Sequence, residues 1–81
     1  GVGNFAASFN TTGTNNVFVG NQAGYPNANV SLANSTGSNN TFIGANTGLG
    51  SSTQRTNATA IGANATVDAS NALVLGGTGV N

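Results

Sequence analysis

Short apolar clusters recur along this chain between stretches of small polar residues. Asn15-Asn16-Val17-Phe18-Val19-Gly20, Asn39-Asn40-Thr41-Phe42-Ile43-Gly44, Asn57-Ala58-Thr59-Ala60-Ile61-Gly62 and Asn71-Ala72-Leu73-Val74-Leu75-Gly76 align without gaps. Each carries Asn five places before Gly and an aliphatic residue just before it. The residues between are β-branched, aromatic or small, which predicts a short strand ending at a glycine turn. In such a strand Val17 and Val19 share one face and Phe18 takes the other. Both faces are apolar in most copies, so both need cover, as in a parallel or stacked sheet. The expected core is therefore Val17, Phe18, Val19, Phe42, Ile43, Ile61, Leu73 and Leu75. One face would fill the interior of the repeat and the other would meet sister chains.

The recurrent glycines are Gly3, Gly20, Gly44, Gly62 and Gly76, a truncated copy at Val2-Gly3-Asn4-Phe5-Ala6 opening the series. They predict a turn with positive φ or a close approach of neighbouring backbones. Their spacings of 17, 24, 18 and 14 residues set a minimum repeat with room for two short strands and two turns. The second strand is expected at Ala7-Ser8-Phe9, Val30-Ser31-Leu32 and Thr66-Val67. The surplus residues of the longer repeats must leave as loops, about 24–36 and 48–56. Solenoid insertions often gather on a binding face, which makes Tyr25, Asn27 and Asn29 the candidate ligand contacts; a bare solvent loop fits the same residues. The pattern as a whole predicts an all-β solenoid of four to five short coils with equivalent strands paired in parallel.

Composition sharpens this picture. Asn, Ser and Thr supply 15, 7 and 11 of the 81 residues, and Gly and Ala a further 13 and 12. Arg55 and Asp68 are the only charged side chains, and His, Cys, Lys, Glu, Met and Trp are absent. Such a chain has no ordinary general base, activated nucleophile or metal shell, so no catalytic residue, cofactor or metal is expected. A single arginine cannot form the basic stripe that nucleic acid requires. Ala72-Leu73-Val74-Leu75 is the longest apolar run, far short of the roughly 20 residues of a membrane span, so no membrane contact is expected of this segment. Helix is not expected, since Asn, Gly, Ser and Thr are poor formers and no 3.6 period is present. Phe, Leu, Ile and Val number only 17. So small an apolar set cannot offset the ordering entropy of the chain, which costs roughly 1–2 kcal/mol per residue. Self-association is the expected remedy, as an obligate homo-oligomer.

Several smaller features have two readings. Asn15, Asn39, Asn57 and Asn71 recur at one place, either as a stacked amide ladder or as residues suited to a turn before a strand. Six Asn-x-Ser/Thr sequons begin at Asn10, Asn29, Asn34, Asn39, Asn57 and Asn64, in a chain rich enough in these residues to produce several by chance. Arg55 and Asp68 fall in adjacent repeats and can pair, at little gain if exposed. Ice binding would need an unbroken threonine array; Thr41 and Thr59 align, but Val17 and Leu73 interrupt the row.

Residues 57–76 look like the head repeat of YadA-like trimeric autotransporter adhesins. The motifs that carry the likeness are Asn57-Ala58-Thr59-Ala60-Ile61-Gly62-Ala63-Asn64-Ala65-Thr66 and, after 14 residues, Asn71-Ala72-Leu73-Val74-Leu75-Gly76. Asn40-Thr41-Phe42-Ile43-Gly44 and Asn16-Val17-Phe18-Val19-Gly20 also resemble repeats of phage tail-fibre-like proteins. The resemblance implies a left-handed parallel β-roll in which three chains wrap one axis. It also implies a trimeric surface fibre on a bacterial cell or a virion-like particle. Because the sequence begins and ends inside the repeat pattern, with Gly76-Gly77-Thr78-Gly79 starting a further turn, residues 1–81 are expected to be one module of a longer extracellular fibre. The function expected on this basis is structural and adhesive, through a host-surface protein or glycan receptor. A phage or injection-system tail fibre is the alternative parent, and an ice- or carbohydrate-binding module a more distant one.

Overall fold

The computed structural model describes residues 1–77, apart from the side chain of Asn27. Thr78 and Gly79, expected to continue a further turn, lie outside them. The chain is all-β and its sheets are parallel. Strands β1 (Val17–Val19), β2 (Thr41–Ile43), β3 (Gly48–Leu49), β4 (Thr59–Ile61), β5 (Thr66–Val67) and β6 (Leu73–Leu75) form two sheets. The larger has the order β1-β2-β4-β6 and the smaller pairs β3 with β5. The crossovers from β2 to β4 and from β4 to β6 thus each contribute one strand to the second sheet.

Pairing aligns the repeated hexapeptides residue for residue. Val17, Thr41, Thr59 and Leu73 form one row, Phe18, Phe42, Ala60 and Val74 the next, and Val19, Ile43, Ile61 and Leu75 the third. Val2 bridges Val19 in parallel and extends the third row. In-register stacking puts like side chain on like side chain at a strand spacing of about 4.8 Å, so small and apolar residues accumulate in columns. The middle row is the interior. Phe18 and Phe42 stack with ring centroids 5.6 Å apart, and Ala23, Leu49, Ala58, Ala60, Ala65 and Val67 complete the buried cluster.

Recurrent turns follow from backbone chemistry. Asn15, Asn39, Asn57 and Asn71 all adopt left-handed φ values of 57–61°, a conformation Asn tolerates better than most residues. The glycine ending each strand meets a sterner demand. Gly44 has φ of 126°, and a Cβ there would stand 2.8–2.9 Å from the carbonyl atoms of Gly62 in the next repeat. Positive φ and close backbone approach, the two roles expected of this glycine, coincide in one residue.

Several expectations need correction. Phe18 and Phe42 are core, but Val17, Val19, Ile43, Ile61, Leu73 and Leu75 are exposed on the outer face of the sheet. Alternation within a three-residue strand leaves only its middle side chain pointing inward. The second strand is Gly48–Leu49 and Thr66–Val67. Val30–Leu32 instead forms a 3-10 turn following another at Pro26–Ala28, and Ala7-Ser8-Phe9 lies in a series of turns. The expected loops are also partly interior. Leu49 is a buried strand residue, and Pro26, Ala33 and Asn34 are buried within the segment 24–36. The Pro26 ring fills the space a side chain on Gly48 would need.

Candidate functional site

Two surfaces and one buried network are candidates for function. The first surface is the outer face of the larger sheet. Val2, Val19, Ile43, Ile61 and Leu75 form a continuous aliphatic row, with Val17 and Leu73 at the ends of the parallel row beside it and Thr41 and Thr59 between them. These aliphatic side chains are 37–66% exposed. Contiguous exposed apolar rows of this kind, as distinct from scattered single residues, mark interaction sites. Its origin is local: the residue after each inward Phe, Ala or Val is aliphatic, and strand geometry turns these residues outward together.

The second surface surrounds the first crossover. Tyr25 is half-buried and tilts at 53° against Phe9, with centroids 4.8 Å apart. Asn29 is exposed, and its Oδ1 accepts hydrogen bonds from the Ser31 backbone N–H at 3.1 Å and the Ser31 hydroxyl at 2.8 Å. The side chain of Asn27 lies outside the described parts of the structure. Tyr25 therefore shares its aromatic contact with Phe9, while Asn29 is tied into the adjacent 3-10 turn.

The buried network is made of amides that sequence reasoning passed over. Asn34 and Asn40 are fully buried. Asn40 Nδ2 donates to Asn34 Oδ1 and to the Arg55 carbonyl, both at 2.8 Å, while its Oδ1 accepts from the Ala58 N–H. One repeat earlier, Asn16 Nδ2 donates to the Gly37 carbonyl and to Asn10 Oδ1, and Asn16 Oδ1 accepts the Asn40 backbone N–H. Asn34 Nδ2 also reaches Asn10 Oδ1 at 3.3 Å. Gln54 closes the corner: its Oε1 accepts the backbone N–H groups of Ser35, Thr36 and Gly37 at 2.8–3.1 Å.

A signal for this network is present in the sequence. Asn10-x-x-Gly13-x-Asn15-Asn16 and Asn34-x-x-Gly37-x-Asn39-Asn40 are copies spaced by 24 residues. Where the copy ends, Asn16 and Asn40 give way to Ala58 and Ala72. Of the exposed Asn row, Asn57 Nδ2 donates to Asn71 Oδ1 at 2.9 Å. Left-handed turns and an amide contact thus occur in the same row.

Charge is confined to one surface pair. Arg55 and Asp68 form an ion pair at 3.0 Å, and the Ser51 hydroxyl donates to the same carboxylate oxygen at 2.5 Å. The Ser51 hydrogen bond, then the Arg55 guanidinium, hold the Asp68 carboxyl below its ordinary pKa. Among the described residues no three His, Cys, Asp or Glu side chains come together, and no helix is long and apolar enough to cross a membrane. No protein-family model matches the chain, and neither a curated protein nor a solved structure matches it.

Proposed function

We propose that this chain is a β-solenoid module of a homotrimeric extracellular fibre, non-enzymatic, with a structural and adhesive role. In this reading each repeat is one coil of a left-handed β-roll, and the fibre holds a receptor-contacting tip away from a bacterial or particle surface. The observation that carries it is the aliphatic row Val2–Val19–Ile43–Ile61–Leu75 on the outer sheet face. Its side chains occupy one line at strand spacing, a surface that water disfavours and that another copy of the same line complements. Burial of such rows is worth about 25 cal/mol per Å² of apolar surface, and the row holds five of the chain's 17 Phe, Leu, Ile and Val residues. The near-absence of charge supports the reading too, since at a symmetry axis each charge would face its own copies. No cofactor or metal is needed for this role, and the partner beyond the sister chains is a surface protein or glycan.

Sedimentation equilibrium tests it. The chain is expected to sediment as a trimer, and Ile43→Lys, which places a cation in the centre of the row, is expected to dissociate it. A stable folded monomer of the unsubstituted chain would overturn the reading.

A further inference from the structure

Six sequons are spread along the chain, and the fold treats them very differently. Asn34 is fully buried, with both ends of its amide engaged. Asn10 is half-buried, its Nδ2 donating to the Gly13 carbonyl at 3.0 Å. Asn57 is exposed but donates its Nδ2 to Asn71 Oδ1. For Asn39, Asn57 and Asn64 the sequon threonine is also fixed in a paired strand: Thr41 in β2, Thr59 in β4 and Thr66 in β5. Withdrawing any of these tripeptides into a second active site would break parallel-sheet hydrogen bonds.

Asn29-Val30-Ser31 is different. All three residues are exposed and lie outside both sheets, Asn29 between the two short 3-10 turns and Val30 and Ser31 in the second of them. The two hydrogen bonds from Ser31 both end on Asn29 Oδ1, so the amide nitrogen is the end of the carboxamide they leave unused. The hydroxyl of the sequon is already on its own asparagine, which lowers the ordering cost of presenting the tripeptide to an enzyme.

We infer that Asn29 is an N-glycosylation acceptor, a site at which the folded chain takes a neutral hexose from an activated glycosyl donor. In the transfer, Asn29 Nδ2 forms a bond to the anomeric carbon of a nucleotide-diphosphate hexose. The bond from that carbon to the phosphate oxygen breaks, its electron pair leaves with the nucleotide diphosphate, and one Nδ2 proton passes to a base of the transferase. No redox change occurs. The inference stands apart from the trimeric reading, because Asn29 belongs to none of the strands that carry the aliphatic row.

The test incubates the folded 81-residue chain with UDP-glucose and a soluble sequon-specific asparagine hexosyltransferase chosen because it modifies the isolated peptide 25–34. Intact mass and peptide mapping are expected to find one hexose, on Asn29, with Asn39, Asn57 and Asn64 at background. Addition is expected to be lost in Asn29→Gln and Ser31→Ala and retained in Ser31→Thr, with circular dichroism unchanged in all three. Absence of addition to the folded chain, or comparable occupancy at Asn39, Asn57 or Asn64, would overturn the assignment.

Discussion

Asn40 donates its side-chain amide to Asn34 Oδ1 across 2.8 Å, and both residues are wholly buried. The pair joins the segment entering β2 to the end of the preceding crossover. With the bonds to Arg55 and Ala58, it satisfies backbone groups of the following repeat that face away from solvent.

Replacing Asn40 by Ala leaves Asn34 Oδ1, the Arg55 carbonyl and the Ala58 N–H without this partner. At about 1–3 kcal/mol for each buried group, Asn40→Ala is expected to destabilise the chain by about 3 kcal/mol or more. Its exposed neighbour Asn39 has φ of 61°, which glycine adopts freely, so Asn39→Gly is expected to stay within about 1 kcal/mol of the parent. Urea denaturation of both variants at one protein concentration measures the contrast. Equal losses would show that burial of the second Asn is not what sets its value.

Gly44→Ala puts a methyl group within 2.9 Å of the Gly62 carbonyl and forces an L-residue to φ of 126°. Neither problem can be relieved without separating stacked repeats. The variant is expected to lose at least about 3 kcal/mol, combining backbone strain with overpacking. Gly50→Ala, whose nearest neighbour would be the Asp68 Cβ at 3.1 Å, is expected to cost far less. Thermal unfolding followed by circular dichroism distinguishes them.

The first crossover is divided between surface and interior. Val30 is exposed, so Val30→Ser is expected to change stability by no more than about 0.5 kcal/mol. Deleting residues 25–34 removes the buried Pro26, Ala33 and Asn34 and is expected to abolish cooperative unfolding. A deletion variant with an intact transition would show that the crossover does not contribute to the core.

The pH response rests on Asp68, whose carboxyl is held below its ordinary pKa by Ser51 and then Arg55. A depressed folded-state pKa adds stability above the unfolded value of about 4 and loses it as pH falls through the folded value. Because the carboxyl is exposed, the effect is small and is weakened by salt. Stability is expected to be nearly level from neutral pH down to about pH 4 and to decline below it. Asp68→Asn is expected to reduce that decline, as read by denaturation midpoints across the range.

The strands were legible in the sequence because their signal is local. Phe18, Phe42 and Ala60 each precede an outward aliphatic residue in matched hexapeptides, and the match itself aligns them in register. The buried amides were less legible. Asn16 and Asn40 drew no role from the repeat pattern, and only the groups delivered by segments 6 to 24 residues away make them partners in the network. Tyr25, selected for its place in the longest insertion, packs its ring against Phe9, which no spacing rule connects to it.

By itself, then, the sequence determined the all-β class, the positions of the main strands and the turns at Asn and Gly. Those follow from side-chain alternation and from backbone conformations available to single residues. Tertiary structure decided that Gly48–Leu49 would be a strand, that Pro26 would plug the interior and that Ile43 and Ile61 would face outward as Phe42 faced inward. These outcomes depend on which segments lie against each other after crossovers of unequal length. Hydrogen-bond satisfaction and burial are properties of that stacking, and no residue carries them alone.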